Sequence, residues 1–224
     1  LTIYGPAGIE QFVRTSLQIS RTKVSYPIKF VELSEPGLIC EDKGFRVYTD
    51  RLDHRIPSFG FRVVEATHPG ELLIDKLAKY NIPNGPILGQ LKRGEQVTLA
   101  DGTVLNGKDF LGPEKPGRIV TIIYDTRSTP SIARLAKDAD VLVHESTFAG
   151  DESKMARNYY HSTSVQAAKI AKQENVKKLC LNHISARYMG AKAKKLENQA
   201  KKVFPNTVLV NDFDRIEIPM KGAE

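Results

Sequence analysis

Three short apolar segments in the second half of the chain each run into a residue that can bind a metal or carry a proton. The segments are 119–124, 141–144 and 179–182, and the residues at their ends are Asp125, His144 with Glu145, and His183. Helical patterns at 132–136, 164–174 and 191–203 separate or follow them. Strands that alternate with helices predict an α/β sheet, in which groups at strand ends gather into one site.

The first 65 residues predict a strand, a helix and a run of short antiparallel strands. Apolar residues form a strand at 1–4, recur at helical spacing over 8–20, and form short segments at 28–33, 38–40, 45–48 and 59–64. Segments 207–210 and 215–218 are predicted to close the chain as strands. Together the elements predict a layered α/β sandwich.

The block 66–118 differs in composition from both of its neighbours. It is rich in Gly and Pro turn signals, and it fits one helix near 71–80 and a small hairpin around Asp101-Gly102. We expect a protruding, flexible arm inserted in the domain rather than core. A surface insertion without function is the alternative.

Charge and cysteine content narrow the class of protein. The chain has a net charge of +7, and residues 151–224 hold 14 Lys and Arg against 8 Asp and Glu. This indicates either a polyanionic partner or a solvated helix face. No apolar run approaches the ~20 residues that cross a bilayer, and no signal peptide opens the chain, so we expect no membrane partner. Cys40 and Cys180 are expected as free thiols in a reducing cytoplasm.

The five histidines fall mostly at element boundaries. His54 follows Asp53, and His161 precedes a helix that Ser162 or Ser164 could cap, with N–H groups suited to phosphate. Histidines with Asp125 and Glu145 at such positions indicate a metallohydrolase, for which zinc is suitable. No two histidines lie one, three or four residues apart, so the chain has no local chelating pair. A dinuclear site needs roughly six protein ligands and the chain offers about three, which is half of such a site.

Several motifs in order along the chain resemble the ribonuclease Z family of the metallo-β-lactamase superfamily. They are Leu1-Thr-Ile-Tyr-Gly-Pro6, His54-Arg-Ile-Pro-Ser-Phe-Gly-Phe-Arg62, Ile82-Pro-Asn-Gly-Pro86, Asp125-Thr-Arg127, His144-Glu-Ser-Thr147, Tyr160-His-Ser-Thr163 and His183-Ile-Ser-Ala-Arg-Tyr188. The resemblance implies a metallo-β-lactamase-type αββα sandwich and an endoribonuclease that removes the 3′ trailer of precursor tRNA, leaving a 3′-hydroxyl.

The resemblance also implies a role for individual residues. His54 and His183 would bind zinc, Asp125 would bridge two zinc ions, and His161 with Glu145 would protonate the leaving oxygen. Ser162, Thr163 and Arg187 would hold phosphate oxygens. The family's arm clamps tRNA, which assigns tRNA contacts to Lys92, Arg93 and Lys108, and bacterial relatives act as homodimers. His144 is open to a structural role.

The chain departs from the family pattern at two places. The family's His-x-His-x-Asp-His motif would precede Leu1, so we expect the later part of a longer protein, N-terminally incomplete, with zinc weak or absent in this chain by itself. Tyr124 stands where the family usually has Gly. The alternatives are a phosphodiesterase or sulfatase of this fold acting on small substrates, or an inactive RNA-binding or dimerisation fragment. A cytoplasmic protein with no DNA partner is expected.

Overall fold

A computed structural model describes residues 1–42 and 44–220, as eleven strands and seven α-helices. The strands are β1 Thr2–Gly5, β2 Lys29–Glu32, β3 Gly37–Asp42, β4 Phe45–Leu52, β5 Ser58–Glu65, β6 Gln96–Thr98, β7 Val104–Asn106, β8 Ile119–Ile123, β9 Val141–Glu145, β10 Lys178–Asn182 and β11 Thr207–Leu209. The helices are α1 Ile9–Ile19, α2 Ile74–Leu77, α3 Pro86–Lys92, α4 Pro130–Ala136, α5 Ser153–Asn158, α6 Ser164–Gln173 and α7 Ala193–Lys201. The chain divides into two compact units, one of Leu1–Val64 with Ile119–Ile218, the other of Glu65–Arg118 with the C-terminal residues from Pro219.

The first unit contains a seven-stranded mixed sheet in the order β11-β10-β9-β8-β5-β4-β3. Strands β8 to β11 pair in parallel, because a helix crosses back between each strand and the next. Strands β3 and β4 pair antiparallel, as do β5 and β8. The carboxyl ends of β8, β9 and β10 therefore meet at one edge of the sheet, as the sequence predicted.

The core of this unit lies between the parallel strands and helices α4, α6 and α7. Leu142, Leu179 and Leu181 are fully buried on the strands. Small residues on α6, Ala167, Ala168 and Ala171, let that helix approach the sheet closely. Helix α6 begins with a capping box between Thr163 and Gln166, which fixes its first turn beside His161.

Several expected elements differ from the structure. Strand β2 pairs in parallel with β1 in a separate two-stranded sheet, and does not join the antiparallel strands. Residues 215–218 are not a strand, and the helix expected at 71–80 is reduced to α2 followed by a 3-10 turn, Ala78–Tyr80. Helices α3 and α5 were not expected. An apolar segment by itself does not show which strand lies beside it, so the sequence showed neither the partner of β2 nor the lack of a strand at 215–218.

The second unit has a small core of its own. Leu77, Leu91, Val97, Leu105 and Phe110 are buried together. Strands β6 and β7 form the hairpin expected around Asp101-Gly102. Residues 66–118, expected as an arm outside the core of the domain, lie inside this unit. The core of the unit comes from residues too widely spaced to show a period in the sequence.

Glu65 and Arg118 join the two ends of the second unit. The Glu65 carboxylate accepts hydrogen bonds from Arg118 Nε and Nη2, both at 2.7 Å, and from the Arg118 backbone N–H at 3.0 Å. The Glu65 backbone N–H donates to the Arg118 carbonyl at 2.9 Å. Hydrogen bonds from the Arg118 side chain, then from its backbone, lower the pKa of Glu65 to about 2.

The first prediction concerns this pair. Because the pKa of Glu65 is lower in the folded protein, its stabilisation is complete above about pH 4.5 and is lost as the pH falls toward 2. We expect Glu65→Gln to reduce the free energy of unfolding at pH 7 by about 1 kcal/mol, and the difference from wild type to shrink below pH 4.5. Denaturant unfolding of the full-length protein at several pH values measures this.

Glu71→Gln is the matched control, because Glu71 forms an exposed ion pair with Lys115 in the same unit. Exposed pairs contribute little to stability. Equal effects of the two substitutions would contradict the assigned role of Glu65.

Candidate functional site

The site is built where β8, β9 and β10 end. Asp125 lies two residues beyond β8, Glu145 is the last residue of β9, and His183 directly follows β10. Asp125 has φ 29° and His183 has φ 52°, both in the left-handed region that Asp and His adopt more readily than most residues. These sharp turns bring both side chains to the same edge of the sheet.

Asp125, His161 and His183 form a group that could hold a metal ion. Each offers one ligand atom, and these atoms lie within 4.8 Å of one another. His183 Nε2 is 3.2 Å from Asp125 Oδ1, and the rings of His161 and His183 stack with centroids 5.4 Å apart. A carboxylate with two imidazoles is a donor set that suits zinc.

His54 lies beside this group without being part of it. Its ring centroid is 5.1 Å from that of His161, and its Nδ1 is 2.9 Å from the Tyr160 carbonyl. With a proton on Nδ1 donated to that carbonyl, Nε2 carries the free lone pair. Carbonyl groups orient ligating histidines in this way.

Glu145 is the buried acid of the site. Its Oε1 accepts from the Thr126 backbone N–H and lies 2.9 Å from His161 Nδ1, and its Oε2 accepts from the N–H and hydroxyl of Thr147 at 3.1 and 2.7 Å. Its side chain is fully inaccessible. Burial alone would raise the pKa of Glu145, but the hydrogen bonds from His161, Thr126 and Thr147 together lower it. Glu145 is therefore an anion that faces His161.

The two neighbouring histidines of this loop differ in environment. The hydrogen bond to Glu145 raises the pKa of His161 although partial burial opposes this. Burial lowers the pKa of His144, whose Nδ1 lies 2.7 Å from the Glu145 carbonyl. His144 Nε2 has no hydrogen-bond partner among residues 1–42 and 44–220. His144 is thus a neutral, buried member of the loop, and His161 is the partner of the anion.

Thr147 connects this pair to the group that could hold a metal ion. Its hydroxyl donates to Glu145 Oε2 and lies 2.9 Å from His183 Nδ1 and 3.3 Å from His161 Nδ1. The same hydroxyl also lies 3.1 Å from the His183 carbonyl oxygen. With its proton on the shorter bond to Glu145, the hydroxyl oxygen can accept from His183 Nδ1, and the lone pair of His183 Nε2 then faces Asp125. The sequence analysis gave Thr147 no role; the signal was its place two residues after Glu145.

The three residues expected to hold phosphate oxygens differ in exposure and in hydrogen-bond partners. The Ser162 hydroxyl donates to the Thr126 carbonyl and the Thr163 hydroxyl caps α6, and both residues are only 1% exposed. Arg187 is about half exposed, with its guanidinium 5.1 Å from the Phe148 ring centroid and an ion pair to Glu152 at 3.5 Å. Arg187 is therefore the most accessible of the three residues.

Tyr124 accommodates its side chain without blocking Asp125. Its hydroxyl accepts from Asn182 Nδ2 at 3.1 Å, and its ring stands edge-on to His183. The bulk that replaces the expected Gly is thereby directed toward the end of β10.

The three arm cations lie in the second unit with different partners. Lys92 Nζ donates to the Gly70 carbonyl at 2.7 Å, and Arg93 pairs with Glu95 at 2.6 Å. Lys108 is exposed, and its ammonium has no ion-pair partner in the part of the chain that the structure describes. Lys108 is the most available of the three.

Comparison with protein-family models finds no match. Ribonuclease Z of Lactobacillus helveticus (strain DPC 4571) is 91% identical over all 224 residues, which cover 72% of that protein. Ribonuclease Z of Limosilactobacillus reuteri (strain DSM 20016) is 58% identical over 221 residues, again 72% of that protein.

Solved structures show the fold. Human tRNase Z, short form, matches 98% of this chain and 68% of its own at 24% identity, with a TM-score of 0.63. The metallo-β-lactamase fold protein YhfI from Bacillus subtilis matches 94% of this chain and 62% of its own at 19% identity, with a TM-score of 0.56. These matches confirm the expected α/β fold of metallo-β-lactamase type.

Identity of 58–91% along almost the whole chain confirms the resemblance that the sequence motifs carried. Asp125, His161 and His183, which those motifs contain, lie together at the sheet edge. The chain belongs to the ribonuclease Z family and has the enzyme class of a metal-dependent endoribonuclease.

Proposed function

We propose that the protein is a zinc-dependent endoribonuclease that removes the 3′ trailer of precursor tRNA and leaves a 3′-hydroxyl. The observation that carries the proposal is the buried Glu145–His161 pair set directly against Asp125 and His183. A proton carrier beside a group that could hold a metal ion is what phosphodiester hydrolysis requires. Relatives named ribonuclease Z support the substrate.

His54, Asp125 and His183 are the residues we propose as zinc ligands, in a complete site that takes two zinc ions. His54 and His183 both direct Nδ1 at neutral oxygens, the Tyr160 carbonyl and the Thr147 hydroxyl, so Nε2 of each is the ring nitrogen left to bind a metal. That of His183 faces Asp125 Oδ1 at 3.2 Å. Zinc held by these residues would supply a Lewis acid for the phosphate and would lower the pKa of the attacking water.

His161 is better suited to carry a proton than to bind zinc. Its Nδ1 faces the Glu145 carboxylate rather than a neutral oxygen, which stabilises its charged form. We propose that Glu145 orients the ring and that Nε2 gives its proton to the departing 3′-oxygen. Arg187 would hold a phosphate oxygen. Ser162 and Thr163 would contribute through the backbone at the start of α6, since their hydroxyls bond to the protein.

The arm 66–118, which lies within the second unit, is proposed to bind the body of tRNA. Its separate core gives the segment a fixed surface, on which Lys108 and Arg93 are exposed and Lys92 is half-buried. A homodimer in the cytoplasm, with no DNA or membrane partner, completes the proposal. No helix within the described residues is long and apolar enough to span a membrane.

The second prediction tests the ligand assignment. In the full-length protein we expect His183→Ala or Asp125→Ala to abolish cleavage of precursor tRNA and to lower zinc content, because each removes a ligand. Binding of precursor tRNA, measured by gel shift, should be largely kept. Wild-type turnover with unchanged zinc would refute the assignment.

The third prediction separates the proton pair from the metal. Glu145→Gln keeps the shape of the side chain but removes the charge that faces His161. We expect kcat to fall roughly 10²–10⁴-fold, the range for a positioned general acid, while elemental analysis finds zinc retained. A variant that loses zinc in step with activity would show that Glu145 supports metal binding instead.

The fourth prediction concerns the second unit. Lys108→Ala should weaken tRNA binding and reduce its salt dependence by about one phosphate contact, measured from Kd at several salt concentrations. Lys79→Ala is the matched control in the same unit, because Lys79 is also an exposed lysine but its ammonium lies 4.9 Å from the centroid of the Tyr80 ring. An equal response of both variants would count against an exosite at Lys108.

A further inference from the structure

A cavity of about 610 Å³ opens beside His161 and is lined by three cationic side chains. Arg127 comes from the loop after β8, and Lys154 and Arg157 come from α5. A volume in this range accommodates a small ligand such as a single nucleotide. The proposed reaction so far gives none of these three cations a role.

The charges of the cavity favour an anion. Asp53 is the acidic residue of its lining, and it is already paired with Arg127 at 2.6 Å. Lys154 and Arg157 are exposed, and their charged groups have no ion-pair partner among residues 1–42 and 44–220. Two uncompensated positive charges therefore remain in the cavity.

Arg127 is held in place before any ligand binds. Asp53 accepts a hydrogen bond from its Nε, and the guanidinium lies 4.4 Å from the centroid of the Tyr160 ring. Tyr160 directly precedes His161, so the position of this cation is tied to that of the proposed proton carrier. A pre-positioned guanidinium loses little conformational freedom when it binds an anion.

We infer that this cavity binds a phosphate of the RNA next to the scissile one, and so fixes which linkage reaches His161. The inference rests on the proposed function. Adjacent phosphates repeat regularly along RNA, so cations beside the reacting group can set the register of the cut. Backbone contacts position a nucleic acid without reading its bases.

The experiment uses the full-length protein with Lys154→Gln, Arg157→Gln and the double variant. We expect KM for precursor tRNA to rise roughly tenfold in the double variant. The slope of log Kd for precursor tRNA against log salt concentration should fall by about 0.7–0.9 per cation removed. Cuts should also spread to neighbouring linkages. Arg157→Lys should restore the slope, since it restores the charge. Lys172→Gln, an exposed cation in the last turn of α6 outside the cavity, is the matched control.

A modified substrate locates the phosphate. Precursor tRNA carries one uncharged 2′-O-methyl methylphosphonate linkage, placed in turn on either side of the cut, and its control carries a 2′-O-methyl phosphodiester there. At the linkage that the cavity holds, the increases in KM caused by the neutral linkage and by Arg157→Gln should not add, because both changes remove the same contact.

The outcomes separate the two proposals. Additive penalties at every flanking linkage, or a salt slope equal to that of Lys172→Gln, would overturn the inference while the endoribonuclease stands. A wild-type protein that cuts no precursor tRNA would overturn the proposed function and the inference with it.

Discussion

The buried carboxylate of Glu145 is the interaction on which the rest of the site depends. A charge without access to water is tolerated only when hydrogen bonds surround it, and removing a partner of such a charge is costly. Its partners come from three loops, through Thr126 after β8, Thr147 after β9 and His161 before α6. Satisfying one anion therefore fixes three segments that are distant in sequence.

The hydrogen bonds around Glu145 extend to the group that could hold a metal ion through the Thr147 hydroxyl. That hydroxyl contacts Glu145 and His183, so the orientation of His183 and the charge facing His161 depend on one side chain. The proposed chemistry gains preorganisation from this arrangement, because the groups do not have to be reoriented when a phosphate arrives. The cations of Arg127, Lys154 and Arg157 extend the same site outward.

The two units solve different packing problems. The first buries short apolar strands against alanine-rich helix faces, and its pattern is visible in the sequence. The second gathers five apolar residues from short helices, strands and a 3-10 turn between Gly and Pro turns. The residues of its core recur at no regular spacing, so the sequence pattern did not show that this segment has a core of its own.

The amino-acid sequence by itself determined the strands β8 to β10, helices α4 and α6 between them and the convergence of Asp125, Glu145 and His183, because hydrophobic period and the order of elements along the chain can be read from the sequence. The motifs determined the family. The tertiary structure alone decided that 215–218 is not a strand and that the Ser162 and Thr163 hydroxyls bond to the protein. It also decided that Thr147 joins Glu145 to His183, and that Lys154 and Arg157 line the cavity beside His161 with no ion-pair partner among the described residues. The hydrogen bonds and ion pairs of a side chain depend on the residues that fold against it. Those residues lie far away in the chain, so the local sequence does not identify them.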